Sequence, residues 1–278
     1  MNGTLYVVGT PIGNLGDISP RALDILEKCD FIAAEDTRVT LKLLNHFGIK
    51  KPMVSYFEHN RFERGPVIAE RILSGETAAI VTDAGMPAIS DPGEDLVKIC
   101  HEKGIKVEAV PGPCAFATAL AISGMPSKRF TFEGFVSTEK AERREHIASL
   151  KNETRTMIFY EAPHKLLNTL KDLEAVLGNR EIAIVRELTK IHEEVIKTDF
   201  ASAIKRYSEE AIKGEIVLIV NGASPEAAEA MTVEQAVAYA KDLVESGESK
   251  SNAAKIAAKE SGFKKGEIYR LLIEEEEK

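Results

Sequence analysis

AAIVTDAGMPAISDPG, residues 78–93, is the stretch from which the fold is read. Its first four residues form an apolar run of the length of one buried strand. Residues 82–93 then place two glycines, two prolines and two aspartates within twelve positions. Gly85 admits backbone conformations that other residues avoid, while Pro87 and Pro92 fix φ and remove N–H donors. A stiff, shaped loop at the carboxyl end of a strand is expected. In open α/β sheets that edge is where ligands bind. Asp91 and Pro92 also read as the cap and first residue of a following helix. A cap, however, does not need the preceding DAGMP.

Working outward, the first half of the chain repeats a strand–loop–helix unit. TLYVVG (4–9) is a strand that runs into the Gly/Pro-rich loop GTPIGNLGD (9–17), and Ser19-Pro20 starts a helix. Residues 31–34 are a second strand ending in Glu35-Asp36-Thr37-Arg38, followed by a helix over 41–47. Strands over 53–57, 78–81 and 106–110 follow, with helices near 67–73 and 94–103 between them. The last strand leads into PGPCA (111–115) and a helix of small residues. This alternation predicts a parallel α/β sheet.

The pattern breaks at SGMPSKR (123–129), which places a domain boundary there. The domain organisation read from the sequence is therefore an N-terminal α/β domain over 1–123 and a second α/β domain over 124–222. The second domain has strands over 130–136, 156–160, 182–185, 194–198 and 216–220, and its patterning fits a mixed sheet. An Ala/Ser/Pro/Glu-rich linker spans 223–231, and a helix-turn-helix-like unit of three short helices occupies 232–278.

Composition narrows the functional classes. The chain has 278 residues, enough for about two domains, and 44% hydrophobic content supports substantial cores. A net charge of −8 argues against a generally basic nucleic-acid coat but leaves room for local basic patches. Cys29, Cys100 and Cys114 lie far apart, so neither a disulfide framework nor a zinc site is expected, and a reducing cytoplasm fits. No signal peptide is recognised at the N-terminus, and no apolar run approaches the ~18 residues of a membrane span.

Several polar strand ends can carry chemistry. GTPIGNLGD is neither G-x-G-x-x-G nor a P-loop, since Pro11 stands in the middle glycine's place and no Gly-Lys-Ser/Thr follows. Glu35, Asp36 and Arg38 suit substrate hydrogen bonding, phosphate contact or general-base work, although Asp36 or Thr37 equally suits a helix cap. Arg143 and Arg144 fall on a helix read as exposed. Between Ser249 and Arg270 there are six Lys/Arg, Lys250, Lys255, Lys264 and Lys265 among them, against two Glu. Nucleic-acid contact and a plain helical cap with solvated charges both fit that pattern. No cluster has metal-ligand spacing.

Taken together, VGTPIGNLGDIS (8–19), AEDTR (34–38), TDAGMPAISDPG, VPGPCA (110–115), FYEAPH (159–164), RELTK (186–190) and the Gly-Glu pair at 214–215 resemble the tetrapyrrole methylase superfamily over nearly the whole chain. AEDTR and the DAGMP loop are similar to its RNA-directed branch rather than to its small-molecule enzymes. The resemblance implies a two-domain α/β fold with a small helical C-terminal domain, usually a cytoplasmic homodimer. It implies S-adenosyl-L-methionine between the two α/β domains, and methylation of a cytidine ribose 2′-oxygen in the decoding region of 16S rRNA or the small ribosomal subunit. Cofactor contacts carry over to Pro11, Gly85, Met86, Ile89, Cys114, Ala115, Tyr160 and Glu215. The carboxylates Glu35, Asp36 and Glu187 are candidate bases with Arg38 as a positioning group, and the sequence does not choose among them. A small-molecule methyltransferase and a non-catalytic RNA-binding assembly factor are the competing readings.

Overall fold

The structure is a computed structural model that describes residues 3–223 and 233–274. Residues Met1–Gly222 form one compact unit and Ala223–Lys278 a second. The expected linker lies almost entirely outside the described residues.

The first sheet is wholly parallel. Its strands β1 (Thr4–Val8), β2 (Phe31–Ala34), β3 (Met53–Ser55), β4 (Ala78–Val81) and β5 (Lys106–Val110) stand in the order β3-β2-β4-β1-β5. Helices α1 (Pro20–Lys28), α2 (Thr37–His46), α3 (Arg61–Leu73) and α4 (Glu94–Glu102) connect successive strands. β2 and β4 are buried at every position, as strands covered on both faces must be. One core layer gathers Phe31, Ile68, Ile72, Ile80 and Leu96, and another gathers Val8, Leu26, Ile32, Leu44 and Val81. Because all five strands run the same way, every polar loop singled out in this half emerges at one carboxyl edge.

One expectation fails here. Asp91 does not cap α4: the helix starts at Glu94 behind Gly93, whose φ of 148° takes the turn, and no side chain caps it. The loop therefore runs two residues further before helix begins, which leaves Asp91 within the loop.

The second sheet is mixed. β6 (Phe130–Phe135) pairs parallel with β7 (Thr156–Glu161), while β10 (Ile216–Val220) pairs antiparallel with both β7 and β8 (Glu181–Arg186), and β9 (Glu194–Asp199) closes the edge. Helix α5 (Ala115–Ser123) joins the halves: its Ala119 and Leu120 pack with Ile12 of the first loop onto Ile158, Ala183 and Val217 of this sheet. Helices α6 (Lys140–Ser149), α7 (Pro163–Leu177) and α8 (Phe200–Glu209) cover the other face. The strand and helix assignments read from the sequence leave out α8, although Phe200, Ala203, Ile204 and Tyr207 recur at helical spacing behind the cap Asp199. The helix's buried residues, Phe200, Ala203 and Tyr207, are few and spread among exposed charges.

The second unit holds α9 (Val233–Glu245), α10 (Lys250–Ser261) and α11 (Lys265–Glu274). Its core is built from Ala236, Ala240, Ala253, Ala254 and Ala257 closed by Val237, Ile268 and Leu272. Alanines let the helices approach closely, and Gly262 ends α10 in the left-handed conformation. Among the described residues no helix is long and apolar enough to cross a membrane.

Candidate active site

The loops after β1, β4 and β5 are locked together by backbone. Thr10 and Gly85 exchange two hydrogen bonds, Thr10 N–H to Gly85 O at 2.9 Å and Gly85 N–H to Thr10 O at 3.1 Å. The Thr10 hydroxyl also donates to Thr82 O at 3.2 Å. Gly85 takes a φ of 86°, which a side chain would strain. Gly9 lies directly against Gly112: a Cβ on Gly112 would fall 2.8 Å from Gly9 backbone atoms. Both positions need glycine because two loops cross there without room for a methyl group.

Behind these loops lies a cavity of about 370 Å³ between the two sheets. Ile12, Met86, Ile89, Ala115, Val185 and Leu188 supply its apolar wall. Tyr160 of the second sheet lines it together with the DAGMP loop, and its hydroxyl accepts the Phe116 N–H of α5 at 3.1 Å. Burial pushes that phenol up to about 12. Three carboxylates, Asp91, Glu161 and Glu215, line the cavity, and none of the lining residues is Lys, Arg or His.

Four described non-glycine residues have φ between 52° and 67°: Ala88, Ser90, Glu187 and Thr189. All lie in the DAGMP loop or in the RELTK loop after β8. Such conformations cost on the order of 1–3 kcal/mol each and persist where the surroundings over-determine them.

Of the residues expected to hold a cofactor, Gly85, Met86, Ile89, Cys114, Ala115, Tyr160 and Glu215 all line this cavity. Pro11 does not. It faces a separate hollow of about 260 Å³ with Leu15, Val39 and Leu43, while its neighbour Ile12 enters the main cavity.

The candidate bases stand outside the cavity lining. Glu35, Asp36 and Asp83 stitch the ends of β2 and β4: Asp36 N–H donates to the Asp83 carboxylate at 3.2 Å, and Asp83 N–H to Glu35 at 3.3 Å. Burial and the neighbouring acids raise the Glu35 carboxyl. Asp36 caps α2 and pairs with Arg38 at 2.6 Å, which holds its carboxyl down to about 2. Glu187 accepts from Glu215 N–H at 2.9 Å and from Lys190 at 3.0 Å, interactions that lower its carboxyl.

Arg143 corrects the sequence reading of an exposed helix. Its side chain is only 18% exposed, pairing with Asp172 at 2.7 Å and donating to the Thr169 hydroxyl at 3.0 Å. Arg144 is exposed. Lys250, Lys255, Lys264 and Lys265 are all exposed on or beside α10 and α11 of the second unit.

Two of the cavity's carboxylates carry no sequence signal of their own. Asp91 reads as a helix cap. Glu161 sits inside the quoted FYEAPH but ends a strand. It is 5% exposed, with Ala162 N–H at 2.7 Å and the Thr169 hydroxyl at 2.5 Å donating to its two oxygens.

A parallel sheet joined to a mixed one, with an apolar cavity between them closed by three crossing loops, defines a class. The chain belongs to the tetrapyrrole methylase family, whose model, Tetrapyrrole (Corrin/Porphyrin) Methylases, matches residues 4–204. Within that family it groups with proteins named ribosomal RNA small subunit methyltransferase I. The Synechocystis sp. protein of that name is 44% identical, over 98% of this chain and 98% of its own length. The one from Thermotoga maritima is 47% identical over 79% of this chain and 99% of its own length, so the rest of this chain has no counterpart there. Among solved structures, a Thermus thermophilus uroporphyrin-III C-methyl transferase complexed with S-adenosylhomocysteine superposes with a TM-score of 0.54. It covers 78% of this chain and 97% of its own at 18% identity, a likeness of fold alone.

Proposed function

We propose that this protein is an S-adenosylmethionine-dependent methyltransferase of small-subunit ribosomal RNA, acting on a cytidine ribose 2′-oxygen in the decoding region of 16S rRNA. The observation that carries the reading is the chemistry of the cavity: apolar walls, three carboxylates and no cationic side chain among its lining residues. That donor set suits a small cation with apolar substituents, and its size is that of a small-molecule pocket. When bound, S-adenosylmethionine supplies an electrophilic methyl carbon on a positively charged sulfur. Met86, Ile89, Ala115, Val185 and Leu188 would hold its apolar parts and exclude water. The locked loops fix the cavity wall before binding, so alignment is preorganised.

Names of the close relatives support the RNA substrate. The exposed lysines of α10 and α11 suit phosphate contact. A cytoplasmic homodimer, the family's usual state, belongs to the same reading. The test is incubation of labelled S-adenosylmethionine with 30S subunits and with naked 16S rRNA, followed by mapping of the methylated nucleotide. Label on one cytidine ribose is the expected result. Label on neither RNA, with transfer to a porphyrinoid acid, would overturn it.

A further inference from the structure

Three carboxylates reach the cavity, and their surroundings separate them. Glu161 is sealed, with a donor on each oxygen. Glu215 is at the rim, its side chain 78% exposed and paired with Lys190 at 3.2 Å. Asp91 is half-buried in the wall, and among the described residues no donor or cation bonds its carboxyl. The backbone before it is held in an unusual shape. Ala88 and Ser90 both have positive φ, and Gly93 turns the chain into α4, so the loop carries Asp91 in the cavity wall.

We propose that Asp91 is the carboxylate that balances the cationic methyl donor and takes the proton from the attacking ribose hydroxyl. This rests on the methyltransferase reading above. The step balances. The 2′-oxygen bonds to the methyl carbon, and the carbon–sulfur bond breaks with its electron pair left on sulfur. The hydroxyl proton passes to Asp91. One positive and one negative charge disappear together, so the transfer leaves both the sulfur and Asp91 neutral within the apolar wall. Glu35, Asp36 and Glu187 are committed elsewhere by the bonds already described.

The groups that face Asp91 are Glu35 and Asp83 from the ends of β2 and β4, and Tyr160 from β7, with Glu161 and Glu215 across the cavity. Burial first, then Glu35 and Asp83, push its carboxyl up to about 7, the range in which a general base works best near neutrality.

The experiment uses the full chain and its Asp91→Asn variant, with 30S subunits and calorimetry. In the wild type, affinity for cationic S-adenosylmethionine relative to neutral S-adenosylhomocysteine should rise as pH increases through about 7. In D91N that ratio should be flat. The variant should keep S-adenosylhomocysteine affinity within about threefold while kcat on 30S falls by at least ~100-fold, the scale of a lost general base. A D91N enzyme with kcat within about threefold of wild type would overturn the proposal. So would loss of S-adenosylhomocysteine binding matching the loss of turnover, which would make Asp91 a residue that merely holds the ligand. A pH-independent affinity ratio in the wild type overturns it without any variant. Wild type that binds both ligands with the expected pH dependence, yet labels no RNA, would sink the substrate reading instead.

Discussion

Thr169→Val tests whether the cavity wall is held by the chain Arg143–Thr169–Glu161. Thr169 is 0% exposed on α7, and valine replaces its hydroxyl with a methyl group of nearly the same volume. Two bonds disappear: the 2.5 Å donation to Glu161 and the 3.0 Å bond received from Arg143. Glu161, 5% exposed, keeps only the Ala162 N–H. A hydrogen bond to a charged group contributes about 1.5–3 kcal/mol, and a buried acceptor left short of a partner loses at the upper end of that range. Arg143 still holds Asp172 and is partly solvated, so its own loss is small. The expected cost is about 2–3 kcal/mol, or roughly 4–12 °C in Tm for a unit of this size. Thermal scans and urea melts read it, together with S-adenosylhomocysteine calorimetry, where affinity should weaken severalfold as β7 loosens. In a cycle with Glu161→Gln, the coupling between the two positions should be on the order of 1 kcal/mol. A T169V protein with unchanged Tm and no coupling to position 161 would refute the network.

Other outcomes follow from the same contacts. Gly112→Ala forces a Cβ to 2.8 Å from Gly9, and the overpacking should cost about 1–3 kcal/mol and weaken S-adenosylhomocysteine binding by roughly tenfold, read by calorimetry. Tyr160→Phe leaves the Phe116 N–H without its acceptor, for a loss of about 1–2 kcal/mol by urea melts. Because the Asp91 carboxyl is raised to about 7, the stability its protonated form contributes is present below the ordinary carboxylate range and is lost as pH rises through about 7. Asp91→Asn should therefore match wild type in Tm near pH 4 and exceed it near pH 8, by on the order of 1 kcal/mol once the carboxyl's partial exposure is allowed for. A constant difference across that range would contradict the raised carboxyl. Reversing Lys255, Lys264 and Lys265 to Glu should leave S-adenosylhomocysteine affinity unchanged while RNA affinity falls and its salt slope shrinks by about 0.7–0.9 per lost phosphate contact.

The elements of the first sheet and the loops that build the cavity are legible in the one-letter string. Residues 31–34 and 78–81 are strands at the positions expected, because a parallel strand covered on both faces reads as a short apolar run bounded by turn residues, and the edge strand 106–110 keeps only alternating apolar positions. Loops that must cross at backbone distance need glycine and proline, so Gly9, Gly85 and Gly112 were visible as a pattern. Seven positions that the resemblance assigns to a cofactor line one cavity. Tertiary contacts, in contrast, settle which carboxyl is engaged and which is open to the cavity. Glu35, Asp36, Asp91, Glu161 and Glu187 look alike in a one-letter string. Partners far away in the chain engage two of them, Asp83 for Glu35 and Glu215 for Glu187, while Glu161 is held from the helix that follows its strand, by Thr169. Asp36 is occupied locally by Arg38 and the end of α2. Asp91 stands apart because burial and like charge surround it while no donor among the described residues reaches it, and neither condition is written in its neighbours along the sequence.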